Sequence, residues 1–283
     1  MHIPNSAARY VLAFSAMASV GLFGPGCDSS PPQLITKPAQ TAPAADDDSG
    51  ISPPTAAERE EALRRLDKAI AAHGGNNRLN RLRSMTMEMK GMLQPAPDLR
   101  LPAEQRLTIQ FPGRLRLATD LTKDSGRERV ELAIYPGGGW HKGQGLVEDM
   151  PGPQLADTQR ELFVQWLMTL LPVRNEQFEL RPLPDSKVYD RVLTGISVRR
   201  TDQPTVQLYF NKDSGLLTRV VVPRWEEAGQ KQLREILITD HKKTDNITLP
   251  AALTESRGNN PFLSWVSIDY RFDEIDAKFF DKP

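Results

Sequence analysis

Beyond about residue 85 the chain is dominated by runs in which apolar and polar side chains change places at every step. Met85, Met87 and Met89 alternate with Thr86, Glu88 and Lys90. Leu107, Ile109 and Phe111 alternate with Thr108 and Gln110, Leu115 and Leu117 with Arg114 and Arg116, and Val130, Leu132 and Ile134 with Arg129, Glu131 and Ala133. Period-two alternation gives a strand one dry and one wet face, the pattern of antiparallel sheets. Pro112-Gly113, Asp124-Ser125-Gly126 and Pro136-Gly137-Gly138-Gly139 supply the turns. Further strands are expected near 176–183, 187–200, 204–211, 215–222, 232–241, 247–257 and 262–272, with a tight hairpin at Asn211-Lys212-Asp213-Ser214-Gly215. Strands and helices do not alternate, so no parallel sheet is implied. A single sheet of about 11 twisted strands must curl to bury its apolar face.

Two segments carry helical spacing instead. Thr55 and Glu58 have the spacing of a capping box ahead of Leu63, Leu66 and Ile70, and Gly74-Gly75 ends that helix. Thr158 to Glu161 repeats the box ahead of Leu162, Phe163, Trp166, Leu167, Leu170 and Leu171, with Pro172 as the stop. The expected fold is therefore mainly β (α+β), one strongly curved antiparallel sheet like a half-open barrel around two main helices, over residues 55–283. No second polar, Pro-rich linker follows residue 55 to divide that region.

The N-terminus has a different character. One basic residue, Arg9, precedes the 14-residue apolar run Tyr10–Phe23 and the small-residue stretch Gly24-Pro25-Gly26-Cys27. These are the parts of a signal peptide, 1–26, and the run is shorter than the ~20 residues of a membrane span. Cys27, the chain's single cysteine, resembles the acceptor of bacterial lipoproteins, with Gly26 fitting the cleavage site and Gly24 departing from the usual Leu. The resemblance implies export, a lipid on Cys27 as the link to a membrane, and a domain facing the periplasm. Asp28 resembles an inner-membrane retention signal. Residues 27–54 are rich in Pro, Ala, Ser and Asp and read as a disordered tether, spanning roughly 30 Å on average.

Charge and motif content narrow the function. Lys plus Arg and Asp plus Glu both number 36, so no net field draws nucleic acid. One cysteine excludes a disulfide framework within the chain. His73, His141 and His241 are far apart in sequence and show no metal-ligand spacing; His73 reads as structural, at a helix C-terminus that suits a cation. Gly137 to Gly143 lacks the phosphate-loop spacing and reads as glycines joining two strands. No G-x-S-x-G element is present, and Asp269, Asp273 and Glu274 read as solvated charges. No enzyme, cofactor or metal site is expected.

Over about residues 60–283 the chain resembles the LolA/LolB-like superfamily of lipoprotein carriers. The likeness rests on Leu66-Asp67-Lys68-Ala69-Ile70-Ala71-Ala72-His73-Gly74-Gly75, Gly139-Trp140 and Leu170-Leu171-Pro172. It continues with Leu208 to Leu217, Asp240-His241-Lys242-Lys243 and Ile247-Thr248-Leu249-Pro250. It implies a curved antiparallel sheet around helices, with an apolar cavity for acyl chains. A lipid anchor departs from the soluble carriers and resembles receptor-type members, or lipid-binding and sensor relatives. Flexible, polarizable methionines suit a wall that must accept variable apolar shapes. The expected cavity residues are Met85, Met87, Met89, Leu107, Ile109, Phe111, Leu117, Leu132, Trp166 and Leu170. Two functions follow: binding of lipid or lipoprotein acyl chains, or a non-catalytic tethered sensor or interaction module with a filled core, whose partner is another envelope protein.

Overall fold

The structure, a computed structural model, describes residues 52–143, 145–227 and 230–283. The signal peptide, Cys27 and nearly all of the expected tether lie outside the described residues.

Thirteen strands among the described residues form one sheet. They are β1 (Ser84–Ala96), β2 (Leu99–Gln110), β3 (Arg114–Lys123), β4 (Gly126–Tyr135), β5 (Gly138–Gly143), β6 (Leu146–Asp149), β7 (Glu179–Val188), β8 (Arg191–Arg199), β9 (Val206–Asn211), β10 (Leu217–Glu227), β11 (Gln230–Thr244), β12 (Ile247–Arg257) and β13 (Asn260–Arg271). Their order is β6-β5-β4-β3-β2-β1-β13-β12-β11-β10-β9-β8-β7, antiparallel throughout. Two meanders are thus joined where β1 pairs with β13, and β6 and β7 are left as open edges. The expectation of about 11 strands falls short by β5 and β6. Gly138–Gly143 is itself a strand, not merely a link, because backbone pairing with β4 needs no side-chain alternation.

Among the described residues three α-helices accompany the sheet: α1 (Ala56–Ala72), the single turn α2 (Asn76–Leu79) and α3 (Gly152–Met168). The Thr55 box forms as expected, with the Thr55 hydroxyl accepting from Glu58 N–H and Glu58 accepting from Thr55 N–H at 2.7 Å. The second box does not form. Proline near the first turn pre-sets the helical φ and starts α3 at Gly152, seven residues earlier than a Thr158 cap would. Thr158 then lies inside the helix, its hydroxyl donating to Gln154 O at 2.9 Å. The helix also stops at Met168, so Leu170 lies beyond it, in the left-handed region at φ 63°.

α3 connects the two edge strands and touches both β4 and β10. These are seven strand spacings apart, about 34 Å in a flat sheet. With 17 residues α3 is about 26 Å long, short of that span even when laid across the strands, so the sheet bends toward it. α1 instead lies over β7 and β8.

α1 is pinned at its end by His73. The ring is 4% exposed and accepts from Leu217 N–H at Nε2 (2.9 Å), while Nδ1 donates to Thr248 O at 2.6 Å. Both bonds fit the neutral ring, and burial lowers the imidazole pKa to about 4 despite the opposing Thr248 bond. The expected cation at this helix end is therefore corrected: desolvation outweighs the helix-terminus field. His241, distant in sequence, approaches within 6.2 Å ring to ring and bonds Leu217 O.

Candidate functional site

The inward residues of neighbouring strands fall into rows. Registers place Leu132 opposite Leu117, Leu117 opposite Leu107, Leu107 opposite Met87, and Met87 opposite Tyr270. A second row runs from Gln105 through Met89 to Ile268. Together these rows floor a hollow of about 70 Å³ beneath α3. Its walls come from seven consecutive strands, β4 round to β11, and its roof from Thr158, Glu161, Gln165 and Met168 of α3. The space would hold a few water molecules, and it lies well below the ~300 Å³ where ligand pockets begin.

Five of the ten expected cavity residues line this hollow: Met87, Met89, Leu107, Leu117 and Leu132. Met85, Ile109, Phe111 and Leu170 are buried in the same core without lining it. Trp166 is half-buried and meets Phe178 edge-on at 6.2 Å. Of the other tryptophans, Trp265 lines the hollow, Trp225 is buried under Arg234, and Trp140 donates to Phe280 O at 2.9 Å.

The polar part of the lining went unread in the sequence. Arg234 of β11 is 1% exposed, and Glu161 and Glu255 are both 4% exposed. Strand register sets Arg234 opposite Arg257, a like-charged pair that would repel. Glu255 resolves this by accepting from Arg234 Nη2 and from Arg257 Nε, each at 2.8 Å. Burial opposes the Glu255 charge, but the two guanidinium groups outweigh it and hold the carboxyl at about 2. Burial likewise works against the Arg234 cation, yet Glu161 and Glu255 push its pKa upward.

Glu161, from α3, is the one member contributed by a helix. Its Oε1 accepts from Arg234 Nη2 at 3.1 Å and from Gln165 at 3.0 Å. Its Oε2 lies 2.8 Å from Arg234 Nη1, but outside hydrogen-bond geometry. Arg234 Nε has no hydrogen-bond partner among the described residues. The signal that could have exposed the network is phase. Arg234 occupies the inward phase of Ile236 and Ile238, and Glu255 and Arg257 share the inward face of β12. Charged residues in phase with buried ones demand partners inside.

Among the described residues, no group of His, Cys, Asp and Glu side chains is placed to hold a metal ion, and no helix is long and apolar enough to cross a membrane.

No protein-family model matches this chain, and no curated protein does. Solved structures do resemble it. A LolA superfamily protein from Nitrosomonas europaea superposes with a TM-score of 0.52 at 12% identity, covering 78% of this chain and 97% of that one. A DUF1329 family protein from Desulfovibrio piger gives 0.49 at 11% identity, over 78% and 97% of the two chains. A domain assigned to outer membrane lipoprotein sorting from Vibrio parahaemolyticus gives 0.48 at 11%, over 78% and 96%. The open antiparallel sheet bent round a helix is a LolA-like fold.

Proposed function

We propose that the chain is an exported envelope lipoprotein, anchored through Cys27, whose domain takes acyl chains of lipids or lipoproteins between α3 and the sheet floor. One observation carries the reading: the hollow sits on the apolar row Leu132–Leu117–Leu107–Met87 and is roofed by a single helix. A chain buried there contributes about 0.8 kcal/mol per methylene. At about 70 Å³ the hollow is too small for such a chain as it stands. Entry therefore requires α3 to draw back and the methionines to repack. The role is uptake and release, with no bond cleavage.

Native mass spectrometry of the purified full chain tests this. Co-purifying lipid, displaced by a fluorescent fatty acid, is the expected result. The small volume also favours a second reading, a tethered interaction or sensor module with a filled core. A lipid-free protein that binds no fatty acid leaves that reading in place. For the anchor, wild-type chain that starts at an unmodified Cys27 and stays out of the membrane fraction ends the proposal, whereas Cys27→Ser should release the domain.

A further inference from the structure

Two imidazoles from distant parts of the chain hold the backbone of one residue, Leu217, where β10 begins. His73 ends α1 and accepts from Leu217 N–H at its Nε2 (2.9 Å). His241 of β11 donates from its Nε2 to Leu217 O, also at 2.9 Å. The ring centres are 6.2 Å apart. On its other side His73 meets β12, where Nδ1 donates to Thr248 O at 2.6 Å and the His73 carbonyl accepts from Thr248 N–H at 3.1 Å. The last turn of α1 is thus tied to β10 and β12 through one side chain and its own backbone.

This arrangement fits one protonation state of His73. With a proton on Nδ1 alone, the ring donates to Thr248 and accepts from Leu217. A second proton turns Nε2 into a donor that faces the Leu217 N–H, and the bond is lost. The ring is 4% exposed, so the new charge is also poorly solvated. The charged groups nearby are already engaged or are cations. Asp67 of α1 pairs with Arg174, and Lys68 donates to Lys212 O in the β9–β10 turn, where Asp213 points to solvent. Arg78 donates to Gly74 O, and Asp245 of the β11–β12 turn pairs with Arg81. Burial lowers the His241 pKa, with Asp240 beside it raising it and Arg191 of β8 lowering it by less. Burial likewise lowers His73 to about 4, against the Thr248 bond, and His241 lowers it further. Behind the ring come Gly74 and Gly75, with φ of 118° and 86°, a left-handed pair through which α1's last turn can swing without carrying α2.

We propose that His73, His241 and Leu217 form an acid-sensitive clasp, in which a second proton on His73 releases the last turn of α1 from β10 and β12 while the sheet stays folded. In the released turn the ring meets water and titrates near 6.5. The released state therefore binds the proton more tightly than the clasped one, and falling pH favours release. Between pH 7 and pH 5 its population should rise about twentyfold.

Amide hydrogen exchange of the full chain, corrected for the intrinsic effect of pH on exchange, tests this at the amides the clasp covers. Leu217, Thr248 and Gly75 should lose about twentyfold in protection from pH 7 to pH 5. Release is local and exposes little surface, so this loss should be insensitive to sub-denaturing urea, whereas opening of β1 and β2 should steepen with it. His73→Gln keeps a neutral donor and acceptor and should make the three amides indifferent to pH. A second reading needs no variant: by nuclear magnetic resonance the wild-type His73 ring should stay neutral, with its proton on Nδ1, at pH 5. A ring that titrates near 6.5 with the Leu217 amide undisturbed overturns the clasp. Unchanged protection in the wild type, or an equal loss in His73→Gln, overturns it too. Loss that follows urea as β1 does assigns the effect to global unfolding and ends the proposal of local release.

Discussion

Under α1 the interior is filled. Ala62, Leu66 and Ala69 are fully buried against the sheet, and Gly215 sits so close that a Cβ there would lie 3.1 Å from the Ala72 side chain. Polar groups at that seat work at its margins, as when Arg65 donates to Leu183 O and Gly195 O, or His73 closes the helix end. Under α3 the sheet is apolar too, but the helix turns Thr158, Glu161 and Gln165 inward over a hollow and meets a buried arginine. A filled seat has one good arrangement. A hollow seat closed over a buried ion pair rests on charge pairing as well as packing.

The sharpest break of this contrast is Arg234→Met alone. It removes the guanidinium that both Glu161 and Glu255 face and should cost about 3–5 kcal/mol in denaturant unfolding. Adding Glu161→Met should recover most of that loss. An equal loss in the double variant would mean that the α3 seat depends on packing, as the α1 seat does. Next comes Leu66→Ala, which empties a fully buried position under α1 and should cost about 3 kcal/mol by the same measurement. A cost below about 1 kcal/mol would mean that this seat is loose as well.

The α1 pin should also make stability depend on pH. The His73 ring is neutral in the fold, with its pKa lowered to about 4 by burial, whereas in the unfolded chain it titrates near 6.5. Between those values the unfolded state binds the extra proton. Stability therefore falls as pH drops from about 6.5 to about 4, by roughly 3 kcal/mol in all. His241, also lowered by burial, adds to the same slope. Thermal melts across this range should show it, and His73→Gln should flatten it by about 1 kcal/mol per pH unit near pH 5. The Glu255 carboxyl contributes in a lower window, its stability present above the usual carboxylate pKa and lost as pH falls toward about 2. The smallest effect is a paired enlargement. Leu66→Phe overfills α1's seat and should cost about 1–3 kcal/mol, while Leu117→Phe grows into the hollow and should stay within about 1 kcal/mol. In the fatty-acid displacement assay the Leu117 variant alone should weaken binding. A like cost at both positions would erase the distinction between the seats.

Much of this architecture was legible in the chain. Alternation at Met85–Met89, Leu107–Phe111, Leu115–Leu117 and Val130–Ile134 marks strands of the correct face, and the half of the expected cavity that lines the hollow comes from those runs. Their register follows from short turns, so Met87, Leu107, Leu117 and Leu132 meet in one row by local rules. β5 and β6 escaped because Gly138, Gly139 and Gly143 supply no side-chain rhythm. Glu161 was misassigned for a different reason. Three residues after a threonine, it has the spacing of a cap, and only the earlier start of α3 turns it inward.

The sequence by itself determined most of the segments that become strands, which face of each is dry, and that Thr55 caps α1. These depend on side-chain period and on hydrogen bonds spanning a few residues. The tertiary structure alone decided that Glu161, Arg234 and Glu255, separated by up to 94 positions, share one buried site, and that the space beside them is about 70 Å³. Pairing of buried charges and the volume left under a helix are set by how α3 seats across seven strands. That is a long-range packing outcome with no local period to announce it.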